Sequence, residues 1–300
     1  MQLNGIRICL ITLVFSVVLI SACRRKADVT TKNNAFIKTN GDNVIIGNIA
    51  IKTNSPLNTD EFKKYMSRVN ELFKIRESGS PDHLEKFVNG VRVLIKDYPD
   101  RPNGYQDIMM AIEDYRFLGK PDQARALAKE MINSSAPDNF KLWAKGFLYR
   151  MDSMGKPITM NFIALDGREV DLEKMRGKVA LIVFWETGFE GELSWVNASF
   201  EKFHPQGFEV TGIYCYSYTK ENELKEYIKQ HHISWPQYFD DKQSDVDVGN
   251  KFCVDFGIDG IPHMFLVDKK GCLRFDDVRA RTKDNQVDLE KKIEELLAEQ

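Results

Sequence analysis

Residues 178–185 read Lys-Val-Ala-Leu-Ile-Val-Phe-Trp, a continuous apolar run that is typical of a strand buried on both faces of a sheet. The chain that follows predicts a helix over Glu190–Phe203, a second buried strand over 208–216 and a second helix over 221–231. A further helix is predicted to end near Phe256. This alternation of strands and helices predicts an α/β domain.

The end of the chain predicts a hairpin followed by one more helix. Residues 263–267 and 272–275 have the composition of strands, and Asp-Lys-Lys-Gly at 268–271 is typical of a tight turn. Residues 289–297 place apolar side chains at helical spacing. Together these segments predict a mixed central sheet flanked by helices over residues 156–300.

Five sequence blocks of this region occur in the order in which they are found in a known family. They are Asp-Gly-Arg-Glu-Val-Asp-Leu at 166–172, the run at 176–185, Gly-Phe-Glu-Val at 207–210, Trp-Pro-Gln-Tyr-Phe-Asp at 235–240, and the stretch at 256–268. The region resembles the envelope-anchored redoxins of the TlpA and AhpC/TSA type. The resemblance implies a thioredoxin-like fold over about half of the chain and descent from thiol-disulfide oxidoreductases.

The sequence departs from that family at the residues that carry its chemistry. Family members exchange thiols and disulfides through a Cys-x-x-Cys motif at the start of the helix after the first buried strand, where the helix dipole lowers the pKa of the first thiol. The resemblance places the two cysteine positions at Phe189 and Glu192. No cysteine lies between residues 24 and 214, so a shifted alignment does not restore the motif. We therefore expect no catalytic residue in this loop.

Three other thiols lie in the C-terminal half of the chain. Cys215 falls in an apolar strand, and Cys253 lies beside Phe252 and Val254 on a helix, so we expect both to pack in the core. Cys272 follows the glycine of the turn, and we expect it to be the most exposed and oxidisable of the three. None has a partner at Cys-x-x-Cys spacing, although one disulfide plus a free thiol stays open in an oxidising compartment.

The substrate-binding part of the family's site is retained in the sequence. Pro262 matches the cis-proline beside which the backbone of an extended substrate pairs in the family. The resemblance implies an apolar groove, with Met264 nearby, formed by Trp185, Phe189, Ile261, Pro262 and His263. Glu190 and Glu192 lie at the predicted N-terminus of a helix, where the helix dipole favours carboxylates. The alternative is that His263 joins them in an acid–base or metal site. We expect no metal and no cofactor.

The N-terminus has the features of a targeting segment. Arg7 precedes an apolar run of 13 residues, a length that suits a signal peptide and is short for a spanning helix. Leu-Ile-Ser-Ala-Cys at 19–23 resembles the lipobox of bacterial lipoproteins. The resemblance implies a signal peptide over 1–22, a lipid on Cys23 and a location in the bacterial cell envelope, facing the periplasm or exterior. An uncleaved anchor is the alternative.

Two further regions separate the anchor from the α/β domain. Residues 23–57 are predicted to form the anchor and a polar tether, with a short strand or hairpin over 43–52. Residues 58–155 show helical periodicity in five stretches and predict an all-helical domain. The lengths and spacing of the helices are loosely similar to those of tetratricopeptide repeats. A small irregular helical bundle is the alternative.

Composition and charge argue against some classes of function. Of 300 residues, 43% are apolar and 29% are charged, which is typical of globular proteins, and a net charge of −2 without a basic stripe argues against nucleic acid as a partner. The sequence thus predicts a membrane-anchored, redox-inactive thioredoxin-fold module that binds a polypeptide or protein partner. The alternative is a thiol-disulfide oxidoreductase or peroxidase that uses a non-standard cysteine such as Cys272. Whether the protein is an enzyme stays open.

Overall fold

The structure is a computed structural model that describes residues 60–101, 103–215, 219–240, 250–278 and 282–299, together with three short strands within 37–52. The predicted signal peptide and Cys23 lie outside the described residues. The chain divides into two compact units between Tyr115 and Arg116. None of the described helices combines the length and the apolar character needed to cross a bilayer.

The first unit contains a small sheet and the first helices. Strands β1 (Ile37–Asn40), β2 (Asn43–Ile46) and β3 (Ile49–Lys52) pair antiparallel in that order. The hairpin predicted over 43–52 is therefore present, and β1 lies where the sequence predicted only tether. Helices α1 (Asp60–Glu77) and α2 (His83–Asp97) follow, and the division between the units falls near the end of α3 (Asn103–Phe117).

The helices of the first unit pack through the apolar faces that the periodicity predicted. Leu72 of α1 and Phe87 and Val91 of α2 are buried. Gly90 of α2 allows a close approach, since a Cβ atom added there would lie 2.1 Å from a methyl carbon of Leu72. At the surface, Arg68 donates to a carboxylate oxygen of Asp97 at 2.6 Å.

The second unit begins with two helices and contains the main sheet. Helices α4 (Pro121–Asn133) and α5 (Asp138–Asp152) belong to the same compact unit as the sheet, whereas the sequence predicted a boundary at 155/156. A hairpin of β4 (Asn161–Ile163) and β5 (Glu169–Asp171) then precedes the sheet. The predicted boundary stays a prediction, because compactness alone does not show which segments fold on their own.

The main sheet has five strands, which lie in the order β10 (Leu273–Asp276), β9 (His263–Val267), β6 (Val179–Trp185), β7 (Phe208–Tyr214) and β8 (Gln237–Tyr238). The central strand pairs parallel with β7 and antiparallel with β9, so the sheet is mixed, as predicted. The helices of this part of the chain are α6 (Glu190–Phe203), α7 (Glu221–Gln230), α8 (Lys251–Asp255) and α9 (Lys283–Ala298).

Both faces of the sheet are covered. Every residue of β6 is buried, and successive side chains alternate between two apolar clusters. Leu181 and Val183 pack in the cluster that includes residues of α6 and α9, and Ile182 and Phe184 pack in the cluster that includes residues of α8. The C-terminal half therefore has a thioredoxin-like fold, as the sequence predicted.

Candidate functional site

The loop after β6 is the segment to which the resemblance assigned the two cysteine positions. The central strand ends at Trp185, and the chain passes through Gly188, whose φ of +101° favours glycine, into α6. Phe189 is the last residue before the helix, and Glu192 lies in its first turn, with both side chains half-buried. The assigned positions therefore carry a phenyl ring and a carboxylate, and neither group can form a mixed disulfide.

Trp185 does not line a groove, and the prediction that it does is wrong. Its side chain is fully buried, and its indole Nε1 donates to Oε1 of Gln237 at 2.8 Å. Met264, expected near the groove, is buried in the same apolar cluster. Both side chains point to the sheet face that α6 and α9 cover. An apolar side chain suits either a buried core or the rim of a groove, so the residue type alone did not decide between the two.

The loop before β9 contains the expected cis-proline. The peptide bond between Ile261 and Pro262 is cis, and Pro262 is buried while Ile261 is half-buried. His263, the next residue, is also buried. Of the predicted groove residues, Phe189 and Ile261 therefore retain accessible surface, and the apolar surface available to a partner is smaller than the sequence predicted.

His263 belongs to a buried charged cluster. Its Nε2 lies 2.6 Å from Oδ1 of Asp276 and 3.2 Å from Nη1 of Arg150, a fully buried side chain of α5. Arg150 and Arg116 each approach Asp276 at 3.3 Å. The predicted alternative had placed His263 with the acids of α6, of which Glu190 accepts a hydrogen bond from Tyr227 at 3.0 Å.

The charge of Asp276 depends on these neighbours. Burial by itself would raise the pKa of Asp276, but Arg150, His263 and Arg116 together outweigh it, so the pKa is held well below its usual range. Sequence reasoning missed the cluster, because Arg150 and Asp276 lie 126 residues apart and no motif joins them. Through this cluster, Arg150 of α5 contacts His263 of β9 and Asp276 of β10.

A cleft of about 500 Å³ lies beside this cluster. Charged residues of both signs line it, among them Arg116, Arg274, Asp276, Asp288 and Lys292. Many of these charges are paired within the protein, as in the ion pairs of Arg116 with Asp276 and of Lys292 with Asp288. No lining residue comes from the loop after β6, and the cleft therefore does not extend the candidate site.

The structure brings together two thiols that the sequence keeps apart. Cys215 and Cys253 are both buried, as predicted, and their Sγ atoms lie 3.1 Å from each other. The backbone N–H of Cys215 donates to the carbonyl oxygen of Trp185 at 2.9 Å. The pair therefore lies at the same end of the sheet as the loop after β6.

Two further titratable groups have raised pKa values, one in the loop after β6 and one in the turn before β10. Glu186, the first residue of the loop, is half-buried, and burial raises its pKa. Cys272 is the most exposed of the three thiols, but burial and the nearby charge of Asp268 raise its pKa. A raised pKa reduces the thiolate fraction, which argues against Cys272 as a nucleophile. Across the described residues, no cluster of three or more His, Cys, Asp or Glu side chains could hold a metal ion.

Comparisons with known proteins agree with this fold. Residues 154–276 match the AhpC/TSA family. The thiol-disulfide oxidoreductase ResA of Bacillus cereus is 26% identical over 116 residues, a stretch that covers 37% of this chain and 62% of that relative. ResA of Bacillus anthracis is 25% identical over the same share of each chain. The chain thus spans less than two thirds of the length of these curated relatives.

Solved structures give similar results. The thioredoxin domain of a thiol-disulfide oxidoreductase from Bacteroides vulgatus is 25% identical, with 47% of this chain and 97% of that domain covered and a TM-score of 0.39. A thiol:disulfide interchange protein from a Bacteroides species is 23% identical, with 49% and 93% covered and a TM-score of 0.38. The order and pairing of the strands give the C-terminal half its thioredoxin-like fold. Residues 154–276 are similar to the AhpC/TSA redoxin family and to thiol-disulfide oxidoreductases.

Proposed function

We propose that this chain is a binding module of the bacterial cell envelope, anchored to a membrane through a lipid on Cys23. In this proposal it holds a polypeptide or protein partner and does not exchange disulfides at the loop after β6. The observation that supports it best is the replacement of both thiol positions by Phe189 and Glu192 on a scaffold whose sheet, flanking helices and cis-proline are retained.

The chemistry of the residues that are present in this region favours binding over turnover. Phe189 retains accessible surface, and an aromatic ring that becomes buried in a complex contributes affinity without forming a covalent bond. Pro262 keeps the backbone geometry beside which an extended segment pairs in the family. A partner that binds here would be held by backbone hydrogen bonds and apolar contacts and released unchanged.

The alternative is a thiol-disulfide oxidoreductase or peroxidase that uses a non-standard cysteine. The contact between Cys215 and Cys253 favours it, since a dithiol at this end of the sheet could in principle exchange with a substrate. The burial of both thiols opposes it, because a protein substrate must reach the attacking sulfur.

Insulin reduction and peroxide turnover distinguish the two functions. We expect the wild-type protein and the triple variant Cys215→Ser, Cys253→Ser, Cys272→Ser to give the same background rates. A double variant that rebuilds the motif, Phe189→Cys with Glu192→Cys, is expected to reduce insulin measurably and serves as the positive control. Wild-type activity above background that disappears in the triple variant would show that the binding proposal is wrong.

Binding itself is measured with an unfolded polypeptide whose thiols are blocked. We expect Phe189→Ala to weaken the affinity several-fold. The matched control is Phe117→Ala, which removes an exposed ring of α3 that lies before the thioredoxin-like region, and it should leave the affinity unchanged. Equal affinities of all three proteins would contradict a role of the loop in binding.

A further inference from the structure

Two buried thiols from separate elements meet at the end of the sheet. Cys215 follows directly after β7, and Cys253 lies in the middle of the five-residue helix α8. Each residue is only 2% exposed, and the two Sγ atoms are 3.1 Å apart. A disulfide bond is about 2.05 Å long, so a movement of about 1 Å would bring the sulfur atoms to bonding distance.

One side chain positions both cysteines. Asn250 is buried, and its Nδ2 donates to the carbonyl oxygen of Tyr214, the residue before Cys215, at 2.6 Å. Its Oδ1 accepts from the backbone N–H groups of Phe252 at 3.0 Å and of Cys253 at 3.1 Å. Asn250 thus joins the end of β7 to the first turn of α8. The proximity of the thiols follows from this polar connection as well as from apolar packing.

The buried arrangement keeps Cys215 in its thiol form. Burial raises the pKa of Cys215 well above its usual range, and the adjacent Cys253 thiol and the charge of Glu186 raise it further. The thiolate is the form that attacks disulfides, so Cys215 should react slowly while it stays buried. Because α8 has only five residues, its local opening should require less free energy than unfolding of the whole unit. Such opening would expose Cys253 to solvent.

We propose that Cys215 and Cys253 form a reversible disulfide by exchange with a small-molecule disulfide such as glutathione disulfide. The Cys253 thiolate attacks one sulfur of the reagent, the sulfur–sulfur bond of the reagent breaks, and one thiol leaves. The Cys215 thiolate then attacks the Cys253 sulfur of the mixed disulfide, and the second thiol leaves. The protein loses two electrons and two protons, and the two released thiols carry both.

The product is a covalent link between α8 and the end of β7, close to the loop that begins at Glu186. Oxidation of this kind occurs once per chain and does not require the protein to turn over a substrate. The inference therefore does not depend on the binding proposal. A protein with background activity toward insulin would still form the bond.

Peptide mapping tests the bond in the wild-type protein. The full chain, purified in detergent, is incubated with glutathione disulfide, alkylated and digested with trypsin without reduction. The three cysteines of the C-terminal half fall in separate tryptic peptides, 203–220, 252–269 and 271–274. We expect 203–220 and 252–269 to be linked, the peptide with Cys272 to be unlinked, and dithiothreitol to reverse the bond.

Thermal melting provides a second measurement. The bond closes a loop between residues 38 positions apart, and we expect the oxidised protein to melt about 5–10 °C higher than the reduced protein. The control Cys272→Ser should keep the linked peptides and this difference, while Cys253→Ala should lose both. If incubation with excess glutathione disulfide leaves both thiols open to alkylation, gives only separate glutathione adducts or links either one to Cys272, the proposal is overturned. The mapping does not depend on the folding of any variant.

Discussion

At the scale of single residues, two buried aspartates show that neighbours decide the charge of a carboxyl group. Asp107 of α3 is 7% exposed, and burial raises its pKa to about 7, with Arg76 offsetting only part of the effect. The Asp276 side chain is equally buried, yet its pKa is lowered because two arginines and His263 surround it. Burial alone would have raised both, so the difference comes from the adjacent cations.

The charge of Asp276 should stabilise the second unit. Replacing it with Asn leaves the fully buried guanidinium of Arg150 without its carboxylate, and we expect Asp276→Asn to lower the free energy of unfolding by about 3–5 kcal/mol. Because the pKa of Asp276 is depressed in the folded state, its contribution is fully present above the unfolded pKa, about 3.9, and is lost as the pH falls toward the folded value.

Urea unfolding at several pH values checks this prediction. The difference between wild type and Asp276→Asn should be constant from about pH 5 to pH 8 and should shrink below about pH 4. Asp152→Asn is the matched control, because Asp152 pairs with Arg125 at the surface and such pairs contribute at most about 1 kcal/mol. Equal effects of the two variants would contradict the role given to the buried cluster.

At the scale of elements, two glycines allow α5 to contact the segment around α8. A Cβ atom added at Gly146 would lie 2.1 Å from the carbonyl oxygen of Val254 and 2.5 Å from the backbone nitrogen of Gly257. Gly257 itself has a φ of +59° and would bring a Cβ atom to 2.2 Å from the backbone nitrogen of Phe147. Backbone therefore packs against backbone at this contact, and a side chain on either residue would separate the two segments.

Gly146→Ala should lower stability, although alanine favours helix by about 1 kcal/mol. The expected loss is about 1–3 kcal/mol, because α8 must move away from α5. The matched control is Gly191→Ala in α6, where an added Cβ atom meets nothing within 4 Å and stability should stay the same or rise slightly. Chemical unfolding of both variants measures the difference. A Gly146→Ala protein as stable as wild type would show that the contact is looser than described.

At the scale of the whole molecule, the proposed location depends on the N-terminal segment, which lies outside the described residues. We expect the wild-type chain, expressed in a bacterium, to incorporate labelled palmitate. Cys23→Ala should abolish the label, because the acylated thiol is lost. Cys9→Ala, which changes the other cysteine of this segment, should keep it. An unlabelled wild-type protein in the membrane fraction would instead support the uncleaved anchor.

Local patterns predicted most of the elements well. The helix Glu190–Phe203 and the strand His263–Val267 match the structure at both ends, because apolar periodicity depends on near neighbours along the chain. The pairing of β4 with β5 was not predicted, since two three-residue strands are too short for a clear pattern. The run at 178–185 predicted a buried strand that ends at Trp185, whereas the resemblance placed Trp185 in a groove. The side chain is fully buried, because burial at a strand end depends on what covers that face.

The sequence by itself determined that no two cysteines stand at Cys-x-x-Cys spacing, because the five cysteines lie at positions 9, 23, 215, 253 and 272. It also determined the strand order along the chain that leads to the thioredoxin-like fold. Only the tertiary structure decided that Cys215 meets Cys253 and that Asp276 meets Arg150 and His263. These contacts join residues far apart in sequence, and they depend on how whole elements pack, which no local pattern records.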